Sequence, residues 1–214
     1  MSGGRRGHLP FRDAIANITE AVGFALERFG EPVGIAGSGL GGFLGWYTAL
    51  EDDRVRAVAS HTIADLRRID AFEPRWRGRV LATLVGRARR MDAAMPFVRV
   101  PLRALYSPRD VFEDEANYRR WRRKPRGVWS YTLDSLVSLF LTPDDKPAVE
   151  AMTTPLLVLT GEADRVVPLA GQEELVSRLP DAELFVLGGA GHMLPLEHTA
   201  HTTARMGEWF RKVL

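Results

Sequence analysis

The sequence has no cysteine among its 214 residues, so disulfide bonds and thiolate metal sites are excluded. Lysine is scarce, and it occurs only at Lys124, Lys146 and Lys212. The formal net charge of +2 gives no general attraction for nucleic acid. No apolar run approaches the roughly 18 residues of a membrane span, and the N-terminus lacks the apolar core of a signal peptide. We therefore expect one globular domain in the cytoplasm, with no membrane span and no nucleic-acid partner.

What the sequence does contain is an alternation of short apolar runs with amphipathic segments. Apolar residues recur at three- and four-residue steps from Phe11 to Phe29, which predicts a helix closed by Gly30. Apolar runs predict strands over 32–36, 55–63, 155–160 and 182–188, and helices are predicted over 40–50, from 169 onward and from 197 to the C-terminus. The pattern predicts an α/β fold with a mostly parallel sheet of about four strands, flanked by helices.

Residues 64–151 interrupt this alternation. They contain long amphipathic stretches, such as 78–95 and 127–141, and no clear strand, so we predict a helical insertion between two strands of the sheet. The predicted core domain then consists of residues 1–63 and 152–214. The most basic run, "YRRWRRKPRG" over 118–127, is interpreted as a solvated helix face.

Three motifs follow one another in chain order: "GIAGSGLGG" over 34–42, "LLVLTGEADRVVP" over 156–168 and "FVLGGAGHMLPLEH" over 185–198. Together they resemble the α/β-hydrolase family, in particular its lysophospholipase, monoglyceride-lipase and serine-aminopeptidase-like branch. The resemblance implies hydrolysis of carboxylic esters with lipid-like acyl groups, or of amides, by a Ser-His-Asp triad without a cofactor. It also implies that Asp164 is the triad aspartate, that His192 is the general base, and that 64–151 is a lid.

The first motif is similar to the turn that carries the family's nucleophile, and it can be aligned in two registers. Residues two before and two after the nucleophile must be small for the turn to pack. With Ser38 as nucleophile, one of these positions is Leu40, whose side chain would clash. With position 39 as nucleophile, both are glycines, Gly37 and Gly41.

The second register predicts that Gly39, which has no side chain, stands where the family has its serine. The backbone N–H of Leu40 is then the retained oxyanion donor. We expect weak or absent hydrolysis, because glycine cannot form an acyl-enzyme. Ser38 is kept as a substitute nucleophile, and recruitment of Ser60 or Ser107 is given less weight.

The remaining histidines have weaker context. His61, His198 and His201 are expected to be structural or surface residues, and no metal site is predicted because His198 and His201 lack a third ligand at suitable spacing. The ligand is expected to be a small apolar ester or amide. The apolar residues of the insertion that favour such a ligand are Leu81, Leu84, Val85, Leu136, Val137, Leu139 and Phe140.

Family members form about four strands before the nucleophile helix, and this chain has no room for them. "MSGGRRG" resembles the segment that follows the family's "GHGxS" turn, so Met1 is interpreted as an internal methionine taken as the start. The strand that leads to Gly39 would then expose an apolar edge from Val33 to Ala36, which predicts a homodimer or low solubility. The alternatives to an active hydrolase are a non-catalytic binding or scaffold protein, and a fragment or inactivated variant.

Overall fold

The structure, a computed structural model, describes residues 5–30, 32–68, 98–104, 106–124 and 127–214. The helices in chain order are α1 (Phe11–Phe29), α2 (Leu40–Ala49), α3 (Pro108–Val111), α4 (Glu115–Arg122), α5 (Leu133–Phe140), α6 (Leu169–Val176), α7 (Leu194–Glu197) and α8 (Thr199–Val213). Single turns of 3₁₀-helix occur at Leu102–Ala104, Pro143–Asp145 and Val149–Ala151. None of these helices is both long and apolar enough to cross a membrane.

A four-stranded sheet forms the centre of the fold. Its strands are β1 (Val33–Ser38), β2 (Val55–His61), β5 (Leu156–Gly161) and β6 (Ala182–Leu187), in the spatial order β1-β2-β5-β6. Every neighbouring pair is parallel, which confirms the predicted α/β class and sheet. Among the described residues β1 lies at one edge, and alternate residues along it are exposed. The inner strands β2 and β5 are buried along nearly their whole length, whereas the edge strands β1 and β6 are not.

The two faces of the sheet are covered by separate apolar cores. On one face Val58, Leu156 and Val158 pack with residues of α1 and α2, among them Phe11 and Tyr47. On the other face Ala59, Leu157 and Leu159 pack with Leu194 and with Trp209 of α8. Alternate residues of β5 therefore enter opposite cores, as the two-residue period of a strand requires.

The 64–151 segment contributes no strand to the four-stranded sheet within its described part. It does contain two short strands that were not predicted, β3 (Arg99–Pro101) and β4 (Ser130–Thr132), which pair antiparallel. The amphipathic stretch over 78–95, with Leu81, Leu84 and Val85, lies outside the described residues. In the second amphipathic stretch, over 127–141, Ser130–Thr132 form β4 and the helix begins only at Leu133. Thr132 caps that helix by accepting a hydrogen bond from Ser135 N–H.

The first described residues run along α5. Leu9 N–H donates to Ser135 Oγ at 2.6 Å, and Phe11 N–H donates to Ser138 Oγ at 2.8 Å. These bonds attach the start of α1 to the 64–151 segment, so that segment is connected to the core through α5.

Candidate active site

The turn between β1 and α2 has an unusual backbone conformation. Ser38 ends the strand, Leu40 begins the helix, and Gly39 between them has φ 52° and ψ −127°. Residues other than glycine rarely adopt a positive φ. Strand-to-helix turns that present a nucleophile hold that residue in such a strained backbone conformation. A Cβ added to Gly39 would meet no atom within 4 Å, so a side chain at this position would be strained by the backbone conformation and not by crowding.

The turn packs closely at one pair of glycines. A Cβ on Gly37 would lie 2.6 Å from the Cα of Gly42, which is closer than real Cβ contacts. The spacing of the motif predicts that a small residue is needed at Gly41, but an added Cβ there meets nothing within 4 Å. The close approach is made by Gly42, because one turn of α2 brings that residue back over the end of β1.

Asp164 and His192 lie together at the carboxyl ends of β5 and β6. His192 Nδ1 and Asp164 Oδ2 are 2.8 Å apart. The other carboxylate oxygen, Oδ1, accepts hydrogen bonds from the backbone N–H groups of Val166 and Val167, both at 2.8 Å. The carboxylate is therefore held by its own loop while it holds the imidazole. The bond to Asp164 uses Nδ1 of His192, so it leaves the second ring nitrogen, Nε2, outside the pair.

Backbone contacts connect the loops that carry these two residues. Ala163 N–H donates to Ala190 O at 2.9 Å, which joins the loop after β5 to the loop after β6. Gly191 N–H donates to Glu113 Oε1 at 2.6 Å. The loop that carries His192 is thus attached both to the sheet and to the 64–151 segment.

His61 is a member of this cluster that sequence reasoning missed. It ends β2, it is fully buried, and its ring centroid lies 5.2 Å from that of His192. Its Nδ1 is 3.0 Å from Ser38 Oγ, while its Nε2 has no hydrogen-bond partner among the described residues. The available signal was its place at the end of a predicted parallel strand, since such ends meet at one edge of the sheet.

The backbone beside His61 is also strained. Thr62 has φ 59°, which is an outlier for a β-branched residue, and it is buried. Its carbonyl oxygen accepts a hydrogen bond from Ser60 Oγ at 2.5 Å. Burial, with a further contribution from the nearby His192, lowers the pKa of His61 to about 3. His61 is therefore neutral at physiological pH.

The alternative serines are engaged elsewhere. Ser38 Oγ faces His61, whose low basicity makes it a poor general base at neutral pH. Ser60 donates to a backbone carbonyl, and Ser107 Oγ accepts from Arg109 N–H at 3.3 Å. The structure brings none of the three into a described hydrogen bond with His192.

The histidines of the last two helices are on the surface. His198 Nε2 is 3.0 Å from Glu113 Oε1, so it contacts the 64–151 segment, and His201 is exposed. Ligand atoms of His61, Asp164 and His192 lie within 4.8 Å of one another, a spacing that could hold a metal ion. Because Asp164 Oδ2 and His192 Nδ1 already bond to each other, a hydrogen-bonded pair explains the arrangement without an ion.

A cavity of about 700 Å³ opens beside this cluster and is called the site cavity below. Gly39, Leu40 and His192 line it, which places the turn and the imidazole on one cavity. Its other walls are mostly apolar and aromatic. Leu136, Leu139 and Phe140, from the described part of the 64–151 segment, line the cavity, whereas Val137 is buried and does not line it.

Residues 2–206 match the family described as "Alpha/beta hydrolase family". A stretch of 62 residues is 37% identical to the 2-hydroxymuconate semialdehyde hydrolase of Pseudomonas putida, and it covers 29% of this chain and 22% of that protein. The match thus spans well under two thirds of this curated relative.

Solved structures resemble this chain over most of its length. The monoacylglycerol lipase of Paleococcus ferrophilus superposes with a TM-score of 0.72, at 21% identity, over 97% of this chain and 77% of that one. A soluble variant of the monoglyceride lipase of Saccharomyces cerevisiae gives a TM-score of 0.68, at 15% identity, over 94% of this chain and 68% of that one. At these identities the comparison shows a shared fold.

Proposed function

Since the chain belongs to the alpha/beta hydrolase family, we propose that it binds an apolar ester or amide in the site cavity, and that it hydrolyses this ligand weakly or not at all. The single observation that carries the proposal is the conformation of Gly39. A positive φ between a strand and a helix N-terminus is the geometry in which the fold presents a nucleophile. Here that position has no hydroxyl group.

Asp164 and His192 are proposed as the other two members of the triad. In the family reaction the histidine takes the serine proton and the aspartate stabilises the imidazolium that forms. The Asp164–His192 pair at 2.8 Å, with Asp164 held by two backbone N–H groups, supports these roles. Without an attacking hydroxyl no acyl-enzyme forms, so the route left to His192 is slow activation of a water molecule.

We propose the backbone N–H of Leu40 as the oxyanion donor. Leu40 is the first residue of α2, and the N–H groups of a first helical turn have no acceptor within their own helix. The positive end of the helix dipole adds to the stabilisation of a negative oxygen. Leu40 also lines the site cavity together with Gly39, as a donor to a bound carbonyl would need to.

The test is covalent labelling with a fluorophosphonate probe, which reacts with activated serines. We expect no labelling of the natural chain and labelling of Gly39→Ser. Gly39→Ala is the matched control, because it imposes the same backbone strain without a hydroxyl group. A second control, Gly39→Ser combined with His192→Ala, should lose the labelling, because the general base is absent.

Two results would contradict the proposal. Labelling of the natural chain that Ser38→Ala abolishes would show that Ser38 is the nucleophile and that the first register is correct. Absence of labelling in a folded Gly39→Ser variant would show that the turn does not present its side chain to His192. In that case the alternative, a purely ligand-binding or scaffold protein, would be favoured.

The division of the chain into a core (1–63 and 152–214) and a lid (64–151) is part of the same proposal. It is supported by the crossover from β2 to β5, two strands that pair with each other while the described part of 64–151 stays outside their sheet. It is also supported by the lining of the site cavity by residues of that segment, such as Leu136 and Phe140.

We also propose that the chain self-associates through β1. This strand is an edge of the sheet among the described residues, and Gly34 and Ala36 on it are exposed. Unpaired strand edges associate readily, and a lysine on such an edge prevents this. Ala36→Lys should therefore lower the mass measured by light scattering at high concentration. A natural chain that stays monomeric at that concentration would refute the proposal.

A further inference from the structure

Two arginines line the site cavity. Arg103 lies in the turn that follows β3, and Arg122 is the last residue of α4. Both residues are exposed, so they lie where the cavity meets solvent. Arginine presents a planar fork of donors that matches the oxygens of a carboxylate or a phosphate.

The charge of these two arginines is not neutralised within the described part of the chain. No ion pair or hydrogen bond joins Arg103 or Arg122 to a described carboxylate, whereas Arg119, on the same helix as Arg122, pairs with Glu115. The one described carboxylate that lines the cavity is Asp65.

Asp65 is already committed to other cations. Its Oδ2 lies 3.0 Å from Arg67 Nη2 and 3.4 Å from Arg178 Nη2. Because neither of these arginines lines the cavity, the paired carboxylate adds little negative charge to it. The described lining therefore carries uncompensated positive charge.

The wall beside Arg122 is aromatic. Trp121 and Trp129 have ring centroids 4.5 Å apart, and Trp121 lies 5.3 Å from Phe112. All three rings line the cavity, so an apolar surface continues from the cationic positions inward. A ligand that is apolar along its length and anionic at one end would match both features, because an anion with few apolar groups would leave the aromatic wall in contact with water.

We propose that Arg103 and Arg122 bind the anionic head group, a carboxylate or a phosphate, of an apolar ligand whose chain occupies the site cavity. This inference rests on the proposed function, since it assigns a substrate class to the same cavity. It distinguishes this chain's ligand from a neutral ester, which offers the two cavity arginines no negative charge.

The test is isothermal titration calorimetry on the natural chain with three non-hydrolysable probes that share one chain length: decanoate, decyl phosphate and decanol. The variants are Arg103→Gln and Arg122→Gln. Arg120→Gln is the matched control, because Arg120 is an exposed arginine of α4 that does not line the cavity. We expect each cavity variant to weaken binding of the anionic probes by about 2- to 5-fold, the range of exposed charge pairs, and to leave decanol unchanged.

The outcomes separate the two proposals. If decanol binds as tightly as both anionic probes, or if Arg120→Gln weakens binding as much as Arg122→Gln, the arginine inference is overturned while the cavity remains a ligand site. If none of the three probes binds, the proposed function fails and the inference fails with it. A preference for decyl phosphate assigns a phosphate head group, and a preference for decanoate assigns a carboxylate; either one supports the inference.

Discussion

Acidification should destabilise this protein through one buried histidine. His61 is fully buried, and its pKa is lowered from 6.5 to about 3, chiefly by burial. Below pH 6.5 the unfolded chain binds a proton at this side chain while the folded chain does not. The stability contribution of neutral His61 is thus complete above pH 6.5 and is lost progressively as the pH falls toward 3.

The size of this effect follows from the two pKa values. Each pH unit between them costs about 1.4 kcal/mol of unfolding free energy, so a fall from about pH 7.5 to about pH 4.5 removes about 3 kcal/mol. His61→Asn removes the titrating group and keeps a polar side chain near Ser38 Oγ. It should therefore lose about 3 kcal/mol less than the natural chain over the same interval.

The assay is urea unfolding of both proteins at the two pH values. His61→Asn also leaves a small cavity, but that cost is the same at each pH and cancels in the comparison. His201→Asn is the matched control, since His201 is exposed, and it should follow the natural chain. If His61→Asn loses as much stability on acidification as the natural chain does, then His61 is not held neutral and the reasoning about its burial is wrong.

Three further predictions concern stability and can be measured by the same unfolding assay. Gly37→Ala should destabilise the fold by about 1–3 kcal/mol because its Cβ would meet the backbone of α2, whereas Gly41→Ala should change stability by less than about 1 kcal/mol; equal effects would refute the close packing at Gly37. Gly39→Ala should cost about 1–2 kcal/mol through its positive φ, and an unchanged stability would show that the turn relaxes. Glu150, whose pKa is lowered to about 2 mainly by a hydrogen bond from Arg178, stabilises the fold above pH 4.5, and this contribution is lost as the pH falls through about 2. Glu150→Gln should therefore lower the free energy of unfolding by about 1 kcal/mol near neutral pH, a small value because Glu150 is exposed, and should leave it unchanged near pH 2. An equal loss of stability at both pH values would exclude the ion pair.

The helices and strands of the core were predictable because their signals are local. The helix predicted over 11–29 is α1 with the same bounds, and the four predicted strands differ from β1, β2, β5 and β6 by two residues or fewer at each end. A strand or an amphipathic helix is recognised from the spacing of neighbouring apolar residues, which needs no knowledge of the tertiary fold.

The 64–151 segment was predicted less well for the same reason. β3 and β4 have three residues each, too few to show a two-residue period, and they form because each pairs with the other across the segment. The packing glycine was also misassigned, since a count along the chain selected Gly41. The close approach depends on how α2 folds back over β1, and that brings Gly42 against Gly37.

The sequence by itself determined the α/β class, the core elements and the three motifs that place Gly39, Asp164 and His192 at the ends of strands. Only the tertiary structure decided what these residues meet. His61 joins His192 because β2 and β6 are parallel strands that flank β5 and end at the same edge of the sheet. Its lowered pKa, and the lack of a described carboxylate partner for the arginines of the site cavity, depend on burial and on neighbours far along the chain. Local spacing carries no information about either, which is why the sequence alone could not predict them.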